Sequence, residues 1–291
     1  MSEHRSVWSY LFRVPHKLAW ADVNGVSTRY LEAGDPDAPA VIMLHGSNGF
    51  LENFLANIGP FAEHFRVLAV DMIGSGWTDK PDYPYSPEVC ADHVRGFMDA
   101  VGVEQAAFVG MALGAAVTAY IAHTTPQRLS CGVLIGPALI ISDPDAYAST
   151  VAAIKKRREE NGDPTWETVH RTLSALITKP EDVLDDLVAL RLAIYSTDEA
   201  KAARMHSLET TKPEHALSHD QWRAIQTPLL VVSAIDSAGT MWLKNAQLIG
   251  QLAPNAEVIE IPGCRVWAQF EQADVFNPAA IAYIQRHLPA R

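Results

Sequence analysis

The stretch Val109-Gly110-Met111-Ala112-Leu113-Gly114-Ala115 decides how this 291-residue chain is read. A short apolar run, Ala106 to Val109, leads into Gly110, and Leu113 to Ala122 follows with helical composition. Glycines on both shoulders of so short a junction mark a sharp strand-to-helix turn, where backbones approach too closely for a Cβ. Such a turn lifts its middle residue above the sheet edge. Here that residue is Ala112, a methyl group.

Outward from the turn, the chain alternates apolar runs with helical stretches. Ala19 to Asp22 and Val26 to Leu31 flank Asn24-Gly25, a strong hairpin signal. Val41 to Leu44, Arg66 to Val70, Ala106 to Val109, Gly132 to Ile135, Leu229 to Val232 and Val258 to Ile261 lack clean alternation. That pattern predicts strands buried on both faces of a parallel sheet. Helices are expected at Pro87 to Val101, Leu113 to Ala122, Met241 to Leu252 and Pro278 to His287. Strand–helix alternation predicts an α/β fold with a mostly parallel, doubly wound sheet. From Ser142 to Ala224 the chain is helical in pattern, charged and poor in strands, and too long for a connecting loop. The expected organisation is a core of 1–141 and 225–291 with a helical cap of 142–224. The charge run Lys155-Lys156-Arg157-Arg158-Glu159-Glu160 reads as a solvated helix face.

Composition is that of a globular protein, 48% hydrophobic and 20% charged. A net charge of −11 argues against nucleic acid and anionic membrane as partners. Cys90, Cys131 and Cys264 are scattered, which predicts free thiols and a cytoplasmic protein. Met1 to Tyr10 lacks the apolar core of a signal peptide, and no apolar run is long enough to span a bilayer.

Three segments carry a resemblance. His45-Gly46-Ser47-Asn48-Gly49, Asp71-Met72-Ile73-Gly74-Ser75-Gly76-Trp77-Thr78 and the turn at Ala112 resemble the α/β-hydrolase superfamily. Gly263-Cys264-Arg265-Val266-Trp267-Ala268-Gln269-Phe270-Glu271 resembles the Cys-Gly-His-Trp-Ala-Gln-x-Glu segment of its meta-cleavage-product C–C hydrolases, which cut ring-fission dienoates. The resemblance runs from Trp20 to His287 and is weakest in the cap. It implies an α/β-hydrolase fold, a homodimer and no cofactor.

At the chemistry the match fails. The nucleophilic serine of the family falls on Ala112, the preceding asparagine on Met111, and the catalytic histidine on Val266 with Arg265 before it. Only the acid stands, at Asp236. A serine and its base work as a unit, and losing either costs about 10⁶-fold in turnover. An engineered trapping substitution would account for Ala112, but needs neither Val266 nor Arg265. A displaced base is the other escape, with His206, His215 and His219 in the cap as candidates and His287 poorly placed.

What remains is chemically capable. The resemblance implies an oxyanion hole from the backbone N–H groups of Leu113 and of Ser47 or Asn48, which needs no serine. Arg265 is expected to pair with Asp236 or to face the pocket and grip an anion. Arg191 resembles the arginine with which these hydrolases hold the dienoate carboxylate. Trp267 is expected as a pocket wall, with Phe50, Asn53 and Met111 lining the same space. His215-x-x-x-His219 has one-face spacing but no third ligand, so no metal is expected. Cys264 as substitute nucleophile is a weak alternative, and Gly74-Ser75-Gly76 lacks the features of a phosphate loop. Three readings stand. One is an enzyme promoting a non-hydrolytic step (tautomerisation, decarboxylation, cyclisation or C–C lysis) on an anionic or carbonyl-bearing small molecule, with Asp236 as candidate base. Another is a small-molecule binder. The third is a C–C or ester hydrolase carrying engineered substitutions.

Overall fold

In the computed structural model, which describes residues 6–138, 140–160, 163–234, 236 and 241–288, the apolar runs assemble into one eight-stranded sheet of order β1-β2-β4-β3-β5-β6-β7-β8. The strands are β1 (His16–Val23), β2 (Val26–Ala33), β3 (Ala40–Leu44), β4 (Arg66–Val70), β5 (Ala106–Met111), β6 (Leu129–Ile135), β7 (Leu229–Ala234) and β8 (Ala256–Ile261). β1 and β2 form the expected hairpin, with Asn24 and Gly25 both at positive φ (52° and 85°) as a tight primed turn requires. β2 also runs antiparallel to β4, and every pairing from β4 through β8 is parallel.

Two-sided burial explains the missing alternation. β3 and β5 are buried at every residue. Val41 and Met43 pack into one apolar layer with Leu55, Ile58 and Phe61 of α2 (Leu55–Ala62), while Ile42 and Leu44 enter the opposite layer. That second layer holds Val94 and Phe97 of α3 (Pro87–Ala100), Val117 and Ile121 of α4 (Leu113–Thr124) and Ile249 of α10 (Met241–Leu252). A preceding short helix, α1 (Val7–Leu11), lies at the N-terminal end. The C-terminal helices are α11 (Ala268–Glu271) and α12 (Ala273–His287). α12 starts earlier than the proline suggested and carries Pro278 inside it. Phe276 and Asn277, both buried, anchor that added turn, Asn277 by donating to Ala56 O at 3.0 Å.

Between β6 and β7 the chain is helical, as expected: α5 (Pro144–Glu160), α6 (Trp166–Ser174), α7 (Asp185–Tyr195), α8 (Asp198–His206) and α9 (His219–Ala224). Lys155 and Lys156 are exposed on α5, while the side chains of 157–160 lie outside the described residues. β3 lies between β4 and β5, so the chain reverses its winding direction there. Open α/β sheets hold ligands at the carboxyl ends of the strands beside such a reversal.

Candidate functional site

The turn after β5 sits at that reversal. Ala112 holds φ 48° and ψ −104°, a conformation that costs a non-glycine residue about 1–3 kcal/mol. Its neighbours over-determine it. A Cβ on Gly110 would lie 2.4 Å from the Gly114 carbonyl oxygen, and one on Gly114 would lie 2.0 Å from that of Leu44. Ala112 N–H donates to Ile135 O at 2.9 Å and Gly114 N–H to His45 O at 3.1 Å, tying the turn to β6 and to the end of β3. The N–H of Leu113, at the first position of α4, has no acceptor among the described residues, and neither do those of Ser47 and Asn48. Asn48 is itself left-handed, with φ 55°.

The loop bearing Ser47 and Asn48 is braced from beneath by a buried charge cluster. Asp71 Oδ1 accepts from Leu51 N at 2.6 Å, and Asp71 Oδ2 accepts from Trp77 N at 2.9 Å and Arg29 Nη1 at 3.1 Å. Arg29 Nη2 reaches Glu52 Oε1 at 2.5 Å. Burial pushes the Asp71 and Glu52 carboxyls upward, and Arg29 opposes that shift. His45 is fully buried with its pKa lowered to about 4, chiefly by burial. Its Nδ1 bonds Gly46 O and its Nε2 accepts from Met72 N, so it is a neutral structural group.

A cavity of about 720 Å³ opens between this turn and the helical insertion. Its floor is Gly46, Ser47, Asn48, Met111, Ala112, Leu113, Val266 and Trp267; the insertion supplies Tyr147, Thr168, Arg191, Tyr195, Lys201 and Arg204. Three lining residues are cationic, and none of the described lining residues is Asp, Glu, His or Cys. Arg191 is buried, donates from Nη2 to Tyr195 Oη at 2.7 Å, and has no carboxylate partner among the described residues. Arg204 is held below its ordinary pKa, first by burial, with repulsion from Arg191 contributing. Lys201 is paired with Asp163 at 3.0 Å and Asp198 at 3.6 Å.

Three buried nitrogens on lining residues lack an acceptor: Asn53 Nδ2, Arg191 Nε and Trp267 Nε1. All three are donors. Each of these atoms is itself buried, and a buried unpaired donor costs about 1–3 kcal/mol.

A family model described as alpha/beta hydrolase fold matches residues 39–273. The chain belongs to that family. A 2-hydroxy-6-oxo-6-(2'-aminophenyl)hexa-2,4-dienoic acid hydrolase of Metapseudomonas resinovorans is 27% identical over 274 residues, covering 92% of this chain and 90% of that protein. A 2-hydroxy-6-oxo-6-phenylhexa-2,4-dienoate hydrolase of Comamonas testosteroni is 28% identical over 279 residues, covering 93% and 95%. The crystal structure of a serine hydrolase involved in carbazole degradation superposes with a TM-score of 0.78 at 25% identity, over 94% of this chain and 100% of that one.

On this α/β-hydrolase scaffold most of the expected site residues converge. Ala112, Leu113, Ser47, Asn48, Met111, Asn53, Arg191, Val266 and Trp267 all line the cavity. Gln269 holds Met111 from behind, its Nε2 approaching Met111 Sδ at 3.2 Å. Phe50 is a correction: it is fully buried in the apolar layer below, because the short 3-10 helix Leu51–Phe54 turns its ring inward while Asn53 reaches the cavity. Arg265 is another. It is exposed, off the cavity and unpaired with Asp236, its backbone N–H held by Glu271 Oε2 at 2.8 Å. A guanidinium that can stay hydrated gains little by burial. Asp236 is itself exposed and outside the lining. Cys264 is no substitute nucleophile, being buried off the cavity with its thiol pushed up to about 12 by burial. None of His206, His215 and His219 reaches the lining; His206 bonds Asp82, and His215 bonds Glu209 and Glu88 rather than sharing a site with His219.

Tyr195 and Arg204 were not anticipated as site residues. The available signal was Arg191-x-x-x-Tyr195, an i,i+4 pair on one face of α7.

Proposed function

We propose that this α/β-hydrolase-fold protein is a small-molecule enzyme that binds an organic anion carrying a conjugated carbonyl, of the 2-hydroxy-6-oxo-dienoate class, and promotes a non-hydrolytic step. The helical insertion serves as the cap that closes over it. The observation that carries this reading is Arg191, buried at the cavity wall with no carboxylate partner among the described residues, in a lining that holds no described Asp or Glu. Arg191 holds the ligand carboxylate in a charge-assisted, bidentate geometry. The N–H groups of Leu113 and of Ser47 or Asn48 receive the carbonyl oxygen, aided by the positive end of α4. Enol–keto tautomerisation is the simplest step these groups support. The dienol O–H proton leaves to water, the dienolate oxygen is held by the backbone donors, and a carbon of the chain takes up a proton. Ala112 offers no oxygen for an acyl-enzyme and Val266 no nitrogen for a base, so covalent hydrolysis has no part. Asp236, outside the cavity, carries no step in this reading.

A second reading, a pocket kept for binding alone, draws support from one feature: no described lining residue is a carboxylate, imidazole or thiol. The two separate in one experiment. The absorbance of 2-hydroxy-6-oxo-6-phenylhexa-2,4-dienoate is followed with the unaltered protein and with the double variant Ala112→Ser/Val266→His. Decay or interconversion of the chromophore with the unaltered protein is the expected result. A band that shifts on binding and then stays constant, while the double variant consumes it, makes the protein a binder.

A further inference from the structure

Arg191, in the insertion, and the loop after β3 meet through one side chain. Arg191 Nη2 donates to Tyr195 Oη at 2.7 Å, which leaves the tyrosine's own hydrogen for the Asn48 carbonyl oxygen, also at 2.7 Å. The Tyr195 ring is fixed in turn by the guanidiniums of Arg191 and Arg204, whose carbons lie 5.0 and 4.9 Å from its centroid. A second, longer tether from the insertion runs from Ser207 Oγ, whose nearer acceptor is Arg204 O at 2.9 Å, to Asn48 Oδ1 at 3.2 Å. Both converge on a non-glycine residue held at φ 55°, a conformation asparagine tolerates but does not need.

We propose that Tyr195 is a positioning residue that couples carboxylate recognition at Arg191 to the geometry of the oxyanion loop at Asn48. The inference rests on the reading of the cavity as an anion site. Asn48 carries one of the loop N–H groups without an acceptor among the described residues, and its backbone conformation sets where that N–H points relative to the carbonyl that Tyr195 holds. A carboxylate seated on Arg191 fixes the guanidinium plane. The fixed plane orients the donor to Tyr195 Oη, and the phenol holds Asn48. A ligand without a carboxylate leaves Arg191 unfixed and the loop held less firmly. The site then discriminates twice, once in affinity and once in how strongly it polarises the carbonyl. The ligand class this favours has a carboxylate at one end and an enolisable carbonyl at the other.

The test compares 2-hydroxy-6-oxo-6-phenylhexa-2,4-dienoate with its neutral methyl ester, reading the dissociation constant and the displacement of the bound absorption band. With the unaltered protein the acid binds ten- to a hundredfold tighter than the ester and its band moves further. Tyr195→Phe keeps the ring under both guanidiniums and removes only the hydroxyl. It weakens acid binding by about fivefold or less, and acid and ester bands then move equally. A purely structural tyrosine would lower affinity and leave the difference in band displacement in place, and that result overturns the coupling. Ser207→Ala cuts the second tether and reduces the difference by about half; an undiminished difference there counts equally against the proposal should Tyr195→Phe not fold. If the unaltered protein binds neither compound, the anion-site reading fails and the coupling falls with it.

Discussion

The floor and the roof of the cavity are specified in different ways. The floor is a backbone construction: a strained turn, two glycines that admit no Cβ, and, beyond the ends of β3 and β5, N–H groups with no acceptor among the described residues. Beside Ser47 and Asn48, its side chains Ala112, Met111, Val266 and Trp267 offer an apolar surface with no acid or base. The roof is a side-chain construction in which Arg191, Tyr195, Lys201 and Arg204 converge from α7 and α8. The difference teaches that a site's geometry can stand without its reactive side chains, because sterics of the chain hold the turn whatever sits at its apex. Recognition has no such insurance, since each cation must be present to act.

Three changes break or sharpen that contrast. The largest effect belongs to the floor. Gly114→Ala places a Cβ about where the Leu44 carbonyl oxygen already is, at 2.0 Å, and should cost about 3 kcal/mol of stability in a denaturant titration. A cost under about 1 kcal/mol would mean that the backbone does not dictate the turn.

Next comes acid sensitivity. His45, at the floor, and His93, on α3, are buried and neutral, each with a pKa lowered from 6.5 to about 4 chiefly by burial. The unfolded chain takes up protons on both as pH falls below 6.5, while the folded chain refuses them until about 4. This contribution to stability is therefore fully present above pH 6.5 and lost as pH falls toward 4, by about 3 kcal/mol per histidine. His93→Gln removes a group remote from the cavity and should flatten that slope by roughly half, as read from unfolding midpoints across the same range. An unchanged slope would place the acid sensitivity elsewhere.

The smallest effect is expected at Asp236. It is exposed and off the cavity, so Asp236→Asn should leave any turnover and any ligand affinity within about twofold. A tenfold fall in turnover at constant affinity would restore it as the base and give the floor the chemistry denied to it above.

The same contrast explains what was legible in the sequence. The turn, the Asn24-Gly25 hairpin and the doubly buried strands were readable because each depends on neighbours a few residues away. The segment Asp71 to Thr78 was readable as a motif, and its reason is structural: a Cβ on Gly76 would strike the Asp71 carboxylate at 2.1 Å. Leu51–Ala62 was not read as helical, since its proline and glycine mask a segment held by burial against β4. Arg191 came only through the family resemblance. Tyr195 and Arg204 escaped because their meaning depends on how α7, α8 and the loop after β3 converge, which no local pattern records. Arg265 failed for the converse reason. Adjacency in sequence to the lost histidine position says nothing of where a long side chain points, and solvent was the better partner.

The most direct measurement is equilibrium binding of 2-hydroxy-6-oxo-6-phenylhexa-2,4-dienoate to the unaltered protein and to Arg191→Ala, with thermal unfolding confirming that both are folded. Loss of a charge-assisted carboxylate contact predicts ten- to a hundredfold weaker binding to the variant. Equal affinities would contradict the account, leaving the roof cations without a ligand to recognise.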